Sequence, residues 1–164
     1  MSETVIDALV RLFALISDIH EEIGIISRKK DLVKLFLERH LNKEMVDRYM
    51  ESYEVYLLQY NSGNIERGTI RERKHVALNS LKILAICEKI NTELHLKQKI
   101  YVIVQLLDFI SFGEEITETE LDFVDTVASA FNIPQNEYMN IREFILYDIN
   151  NVRDKSKILI INNH

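Results

Sequence analysis

The stretch Val5–Ile16, VIDALVRLFALI, decides the fold class of this 164-residue chain. Its apolar residues recur at i, i+3 and i+4, which places them on one side of an α-helix. Ser2 or Thr4 can cap the first turn with a side-chain oxygen. A second apolar stretch, IYVIVQLLDFISF at Ile100–Phe112, falls short of the roughly 20 residues that span a bilayer. Both stretches therefore predict core helices and no membrane insertion.

The composition favours long helices around one core. Four Gly, one Pro and no Trp leave few positions for sharp turns, and 47% hydrophobic with 28% charged residues is typical of a globular chain. A chain of this length is sufficient for one domain. We predict an all-α fold, a multihelical bundle of about six to eight helices.

Local signals place the other helices. A second helix is predicted to begin at Ser27, a third to follow the cap residue Asn42, and a long fourth helix to follow the loop at residues 61–64. On the third helix, Tyr49, Tyr53, Tyr56 and Tyr60 fall on nearly one face, which indicates core packing with hydroxyls at the rim. The remaining buried positions predicted for the second and fourth helices are Leu32, Val33, Leu35, Phe36, Leu37, Val76, Leu81, Leu84, Ala85 and Cys87.

The chain resembles itself at an offset of 90 residues, which predicts an internal two-fold duplication. Each unit contains a core helix with a late Asp, a loop with Gly, a hydroxyl cap, a helix and an Asn cap. The predicted domain covers residues 1–153, with repeat units at about 3–60 and 93–150. The matched pairs include Val10 with Ile100, Phe13 with Ile103, Asp18 with Asp108, Ile26 with Ile116, Ser27 with Thr117, Val33 with Phe123 and Asn42 with Asn132.

The tail at residues 154–164 differs from the rest of the chain. Ile158–Ile161 is a run of β-favouring apolar residues between charged residues and an Asn pair, which predicts a short strand. A lone strand has no sheet to join in a helical domain. We expect that the tail begins a further domain of a longer protein.

Charge and cysteine usage narrow the function classes. The net charge of −6 disfavours nucleic acid as a partner, because a polyanion is bound mainly by Lys and Arg. Cys87 cannot form an internal disulfide and no secretory leader is recognisable, so we expect a cytoplasmic protein. The five histidines lack zinc-ligand spacing.

The acidic segment, residues 108–122, is the first candidate site. Asp108, Glu114, Glu115 and Glu120 can supply the oxygen ligands that Ca²⁺ or Mg²⁺ requires if the loop folds back over the helix start. The alternative is a capping box beside a solvated loop, in which Thr117 and Glu120 cap each other's backbone N–H groups.

A second, smaller acidic group precedes the second helix. Asp18, Glu21 and Glu22 form a weaker cation candidate, and the neighbouring cations at residues 28–30 compete for these carboxylates. A solvated helix face is the alternative interpretation of this group.

The stretch LLDFISFGEEITETELDFV, residues 106–124, followed by FNIPQNEY is similar to the centre of TerB-like domains, a family named for bacterial tellurite resistance. Ile116 and Glu120 match the apolar residue and the first-turn Glu of that pattern, and residues 14–27 resemble a weaker copy. The family's Asp directly precedes its Gly, whereas Phe112 precedes Gly113 here. The resemblance implies an all-helical domain of two related halves, acidic clusters that can hold a divalent cation, and a cytoplasmic role in stress-response or membrane-associated assemblies.

From these observations we expect a non-catalytic regulatory or protein-interaction module of a larger bacterial cytoplasmic protein. The family's usual neighbours imply an attached ATP-binding cassette ATPase or a J-domain partner. The alternative is a metal-dependent enzyme in which Asp108, Glu114 and Glu120 hold Mg²⁺ and a phosphorylated substrate. The sequence contains no Gly-rich phosphate loop and no Ser-His-Asp set, so catalysis is not expected within these residues. The oligomeric state is left open.

Overall fold

The computed structural model describes residues 2–19, 23–61, 69–111 and 116–146, with the backbone alone at 19, 23–28, 61 and 69–80. All of its regular structure is helical within these ranges, which confirms the all-α prediction. The helices are α1 (Glu3–Ile19), α2 (Ile23–His40), α3 (Lys43–Asn61), α4 (Thr69–Glu93), α5 (Leu96–Ser111), α6 (Glu118–Ala130) and α7, which covers residues 135–146. The predicted strand in the tail lies outside the described residues.

Helix α1 is the central element of the bundle. It packs against α2, α3, α4 and α5, while α6 packs against α4 and α5. A helix that is apolar around most of its circumference is stable only when neighbours cover it on several sides. Its fully or almost fully buried side chains are Val5, Ile6, Ala8, Leu9, Val10, Leu12, Phe13, Ala14, Leu15 and Ile16.

Side-chain caps begin three helices as predicted. The backbone N–H of Val5 donates to Ser2 Oγ at 3.4 Å, that of Met45 to Asn42 Oδ1 at 2.9 Å, and that of Glu120 to Thr117 Oγ1 at 3.2 Å. Each cap satisfies an N–H that has no partner within the helix.

The predicted start of the second helix at Ser27 is wrong. Helix α2 begins at Ile23, so Ser27 lies inside it and does not cap it. The prediction relied on Gly24 as a loop residue and on Ser27 as a hydroxyl cap. Their helix propensities are lower than that of alanine by at most about 1 kcal/mol each, which is too little to fix a boundary.

The predicted N-cap at Asn132 is also wrong. Asn132 has a φ of 58°, and its N–H donates to Ser129 O at 3.0 Å while that of Ile133 donates to Ala128 O at 3.2 Å. This is the Schellman arrangement that ends a helix, and Asn tolerates the left-handed conformation that it requires. Asn42 begins α3 whereas Asn132 terminates α6, so this matched pair serves two different functions. The duplication as a whole stays a prediction.

The tyrosine stripe of α3 is part of the core, but the predicted faces of α2 and α4 need correction. Leu35 is 55% exposed and Leu81 61% exposed, and Leu84 and Ala85 also face outward. In the described part of α4 the inward residues are Ile83, Cys87 and Ile90, and the buried Leu94 follows directly after the helix. Apolar residues occur around most of this helix, so periodicity alone cannot identify the face that the neighbouring helices cover. Val76 has no described side chain.

Candidate functional site

All five buried polar or charged side chains in the described part of the chain lie near helix ends. We call this set the polar end, and it consists of Ser17, Asp18, Lys29, Ser111 and Glu120. Ser17 and Asp18 stand in the last turn of α1, and Ser111 ends α5. Lys29 is in the second turn of α2 and Glu120 in the first turn of α6. Asp18 and Glu120, one from each predicted acidic group, are therefore both buried.

A buried ion pair of the polar end joins α2 to α6. Lys29 Nζ donates to Glu120 Oε1 at 2.9 Å, and the two side chains are only 10% and 7% exposed. The Lys29 ammonium also lies 5.4 Å from the centroid of the Phe109 ring, within the range of a cation–π interaction. Burying two charges costs solvation free energy, and a direct hydrogen bond between them offsets part of that cost.

Aromatic packing connects this ion pair to the centre of the bundle. The Phe109 ring stacks on the Phe13 ring with centroids 4.3 Å apart, and Phe13 meets Phe36 edge-on at 5.1 Å. Phe13 is one turn before Ser17, and Phe109 is two residues before Ser111. The ends of α1 and α5 are therefore held beside the Lys29–Glu120 pair.

Two buried serines near helix ends each donate a hydrogen bond to the backbone carbonyl four residues earlier. Ser17 Oγ donates to Phe13 O at 2.8 Å, and Ser111 Oγ donates to Leu107 O at 2.6 Å. Tyr53 of α3 donates its hydroxyl hydrogen to Ser17 Oγ at 2.9 Å. Burial raises the pKa of Tyr53 above its ordinary value, so the phenol stays neutral and remains a donor.

Asp18 faces a cation from α4. Lys82 Nζ lies 3.8 Å from Asp18 Oδ2 and donates to Tyr60 O at 2.6 Å. The Asp18 side chain is 1% exposed and that of Lys82 is 25% exposed, so water reaches the ammonium more easily than the carboxylate. One lysine thus joins the last turns of α1 and α3.

The predicted cation ligands that are described differ in burial and in their neighbours. Asp108 is half-buried in α5, Glu120 is buried against Lys29, and Asp18 is buried near Lys82. Glu21, Glu22, Glu114 and Glu115 lie outside the described residues. Where side chains are described, no three His, Cys, Asp or Glu residues form a metal-binding group. The cation site stays a prediction.

Sequence analysis missed the specific partners of these carboxylates. It identified competition between nearby cations and the first acidic group, but Lys29 pairs instead with Glu120, 91 residues away. The Thr117 half of the capping box is confirmed, because Thr117 caps Glu120, and the Glu120 side chain also contacts Lys29. The available signal was Lys29 itself. A lysine near the start of a helix opposes the helix dipole, so a nearby carboxylate is expected to offset its charge.

A cavity of about 220 Å³ lies at the junction between α6 and α7. Tyr138 donates to Asp125 beside it, and Arg142 Nη1 approaches both Asp125 carboxylate oxygens at 3.1 and 3.3 Å. These contacts attach α7 to α6 and engage the main charged group of the cavity wall. The lining residues are Asp125, Ala128, Ser129, Ile133, Gln135, Tyr138 and Met139.

No protein-family model, curated protein or solved structure matches this chain. The similarity to TerB-like domains therefore rests on the sequence motif alone. None of the described helices combines the length and apolarity needed to cross a bilayer. The geometry of the polar end is the main basis for a functional interpretation.

Proposed function

We propose that this chain is a non-catalytic helical module that regulates or docks an attached domain. The proposed contact surface is the acidic segment, residues 108–122, and the buried polar end fixes the helix ends that flank it in sequence. The attached domain in this proposal is an ATPase of the ATP-binding cassette type within a larger bacterial cytoplasmic protein. The TerB-like motif and the strand-like tail support that part of the proposal.

The burial of Lys29 and Glu120 is the observation that carries this proposal. Replacing a buried ion pair by apolar residues of similar volume is often neutral or stabilising, so such a pair is not needed to fill a core. Helix α1 shows that this chain can close a core with apolar side chains alone over its first turns. A costly polar arrangement close in sequence to two acidic groups is best explained by a function at that end.

The same ion pair favours docking over catalysis. The metal-dependent enzyme alternative needs Glu120 together with Asp108 and Glu114, yet Glu120 is buried against an ammonium. A metal ion at Glu120 would have to displace Lys29 and leave its charge buried. Cation sensing by Asp108, Glu114 and Glu115 does not require that displacement. It is therefore the second candidate function.

Calorimetric titration of Ca²⁺, Mg²⁺ and Zn²⁺ separates these candidates. The proteins to compare are the wild type and a Glu114→Gln, Glu115→Gln variant, in which the Lys29–Glu120 pair is intact. Heat in the wild type that disappears in the variant supports a cation sensor. No heat in either protein removes both the sensor and the enzyme and leaves docking.

A binding titration tests docking directly. The domain encoded immediately after residue 164 is titrated with the wild type and with a Glu118→Lys, Asp122→Lys variant, which reverses two exposed charges one turn apart on α6. Glu88→Lys, an exposed reversal on α4, is the control. Docking through the acidic segment predicts weaker binding for the variant alone. A stop codon directly after His164 would overturn the attached-domain proposal.

A further inference from the structure

Helix α3 has two faces of opposite character. Val46, Tyr49 and Tyr53 are buried against the core. Successive residues of an α-helix are rotated by about 100° around its axis. On the other side of α3, the residues that lie within about 60° of Glu51 around that axis form one exposed strip. We call it the outer α3 stripe, and it consists of Glu44, Asp47, Arg48, Glu51, Glu54, Val55 and Leu58, all exposed.

The stripe is divided along its length. Its first part carries the four carboxylates, with Arg48 as its one cation. Its last part carries Val55 and Leu58, which are 52% and 71% exposed. Leu58 has the largest exposed fraction of the large hydrophobic side chains that are described. Residues three apart on a helix are neighbours, so these two form one apolar patch.

The charges around the stripe leave it negative. Lys30 of α2 pairs with Glu54 at the border between the acidic and apolar parts, and both side chains are about half exposed. With Arg48 and Lys30 counted against the four carboxylates, an excess of negative charge remains. Exposed carboxylates on a surface attract a partner of opposite charge over about 8–10 Å at ordinary salt.

We propose that the outer α3 stripe binds a basic amphipathic helix. The partner's apolar residues cover Val55 and Leu58, and its lysines or arginines face Glu44, Asp47 and Glu51. Val55 and Leu58 are three residues apart, which suits the i, i+3 spacing of the apolar anchors on a helix that docks by one face. This surface is separate from the polar end and does not depend on the function proposed for it.

The stripe is unsuited to a second copy of the same chain. In a parallel pair the carboxylates of the two α3 helices would face each other. In an antiparallel pair the carboxylates of one copy would cover Val55 and Leu58 of the other. Both arrangements place like charges together or bury charge against apolar surface, and both are unfavourable. A partner of opposite charge has neither cost.

Fluorescence anisotropy with the full chain tests the proposal. The probe is a labelled synthetic amphipathic peptide with leucines and lysines on one helical face, made in both residue orders along its length. A matched peptide with glutamate for lysine is the negative control. We expect Glu51→Lys and Leu58→Ser each to weaken binding by about tenfold, and added salt to weaken it further. The control variants Glu88→Lys and Leu35→Ser change an exposed charge on α4 and an exposed leucine on α2.

Two results would overturn the proposal. The first is equal binding by the stripe variants and their controls, which would show that the peptide recognises net charge alone. The second is concentration-dependent self-association in sedimentation velocity that Leu58→Ser abolishes, which would identify a second copy as the occupant. All four substituted or control positions are on the surface, so circular dichroism of each variant should match that of the wild type.

Discussion

The two ends of α1 have different surroundings. At the first turns, Val5, Ile6 and Leu9 are buried among apolar side chains, and the charged pair Asp7 and Arg11 is only half-buried, where Tyr56 bonds to both. At the last turn, Ser17 and Asp18 are buried, Tyr53 donates to Ser17, and Lys82 of α4 lies 3.8 Å from Asp18 Oδ2. The first turns of α1 are therefore packed among apolar side chains, whereas its last turn contains buried polar and charged side chains.

This difference links the apolar first turns of α1 to stability and the polar end to function. Apolar burial stabilises by about 25 cal/mol per Å² without needing exact partners. Buried charges stabilise little overall, but they are costly to leave without a partner and so they fix which helices meet. The first turns of α1 therefore hold the bundle together, whereas the Lys29–Glu120 pair of the polar end fixes how α2 and α6 meet.

Removing the buried ammonium should give the largest effect. We expect Lys29→Met to lower the free energy of unfolding by about 3–5 kcal/mol, because the Glu120 carboxylate would stay buried without that ammonium. Urea denaturation measures the change. The double variant Lys29→Met, Glu120→Leu should recover most of the loss, since an apolar pair of similar volume needs no charge partner.

The matched control is the exposed pair that Lys30, which is on the same helix as Lys29, forms with Glu54 of α3. Both side chains are about half in water, so Lys30→Met should cost less than about 1 kcal/mol. Equal losses for Lys29→Met and Lys30→Met would show that burial does not distinguish the two pairs. The contrast between the two ends of α1 would then fail as an energetic argument.

Shortening a buried side chain in the first turns of α1 should give the second largest loss of stability. Leu9 is completely buried, and we expect Leu9→Ala to destabilise the fold by about 3 kcal/mol through lost transfer energy and the cavity left behind. No second substitution should restore this loss in the way that Glu120→Leu restores the loss from Lys29→Met. Thermal and urea unfolding of single and double variants measure the difference. A small loss, below about 1 kcal/mol, would mean that the first turns of α1 are not the main source of stability.

Periodicity predicted the existence of the helices because apolar spacing directly reflects which side of a helix is covered. It predicted α1 and α5 well, since both are apolar over most of their circumference and must be central. It failed for Leu81 and Leu84, because α4 carries apolar residues on several faces and only its neighbours select one. The pairing of Lys29 with Glu120 could not be predicted, since two helices 91 residues apart along the chain must first be placed in space.

Tyr53 tests a single neutral hydrogen bond at the polar end. Its hydroxyl donates to Ser17 Oγ, which itself donates to Phe13 O. We expect Tyr53→Phe to cost about 1–1.5 kcal/mol, because the hydroxyl oxygen of Ser17 loses a buried donor. Urea denaturation measures the loss. Tyr56→Phe, at a half-buried tyrosine beside Asp7, should cost less because water can replace the lost contact. The reverse order would show that the Ser17 hydroxyl is more accessible to water than its burial indicates.

Cys87 extends the comparison to α4. The ionisation of its thiol should have the smallest effect on the free energy of unfolding at neutral pH. Its thiol is completely buried, and burial raises its pKa from an ordinary value of 9.0 to about 12. The thiol is therefore neutral in the core at pH 7, unlike Lys29 and Glu120, which are buried as an ion pair. Because the folded pKa is the higher one, this group's contribution to stability is complete below pH 9 and is lost as the pH rises toward 12.

The loss should approach about 1.4 kcal/mol per pH unit between those two values, because only the unfolded chain ionises there. Urea unfolding of the wild type and of Cys87→Ala at a series of pH values isolates this group, since all other titrating residues are common to both proteins. The difference between the two curves should be constant up to about pH 8 and change above pH 9. A difference that already changes below pH 8 would mean that the thiol ionises inside the fold, and the apolar side of the bundle would then contain a polar site of its own.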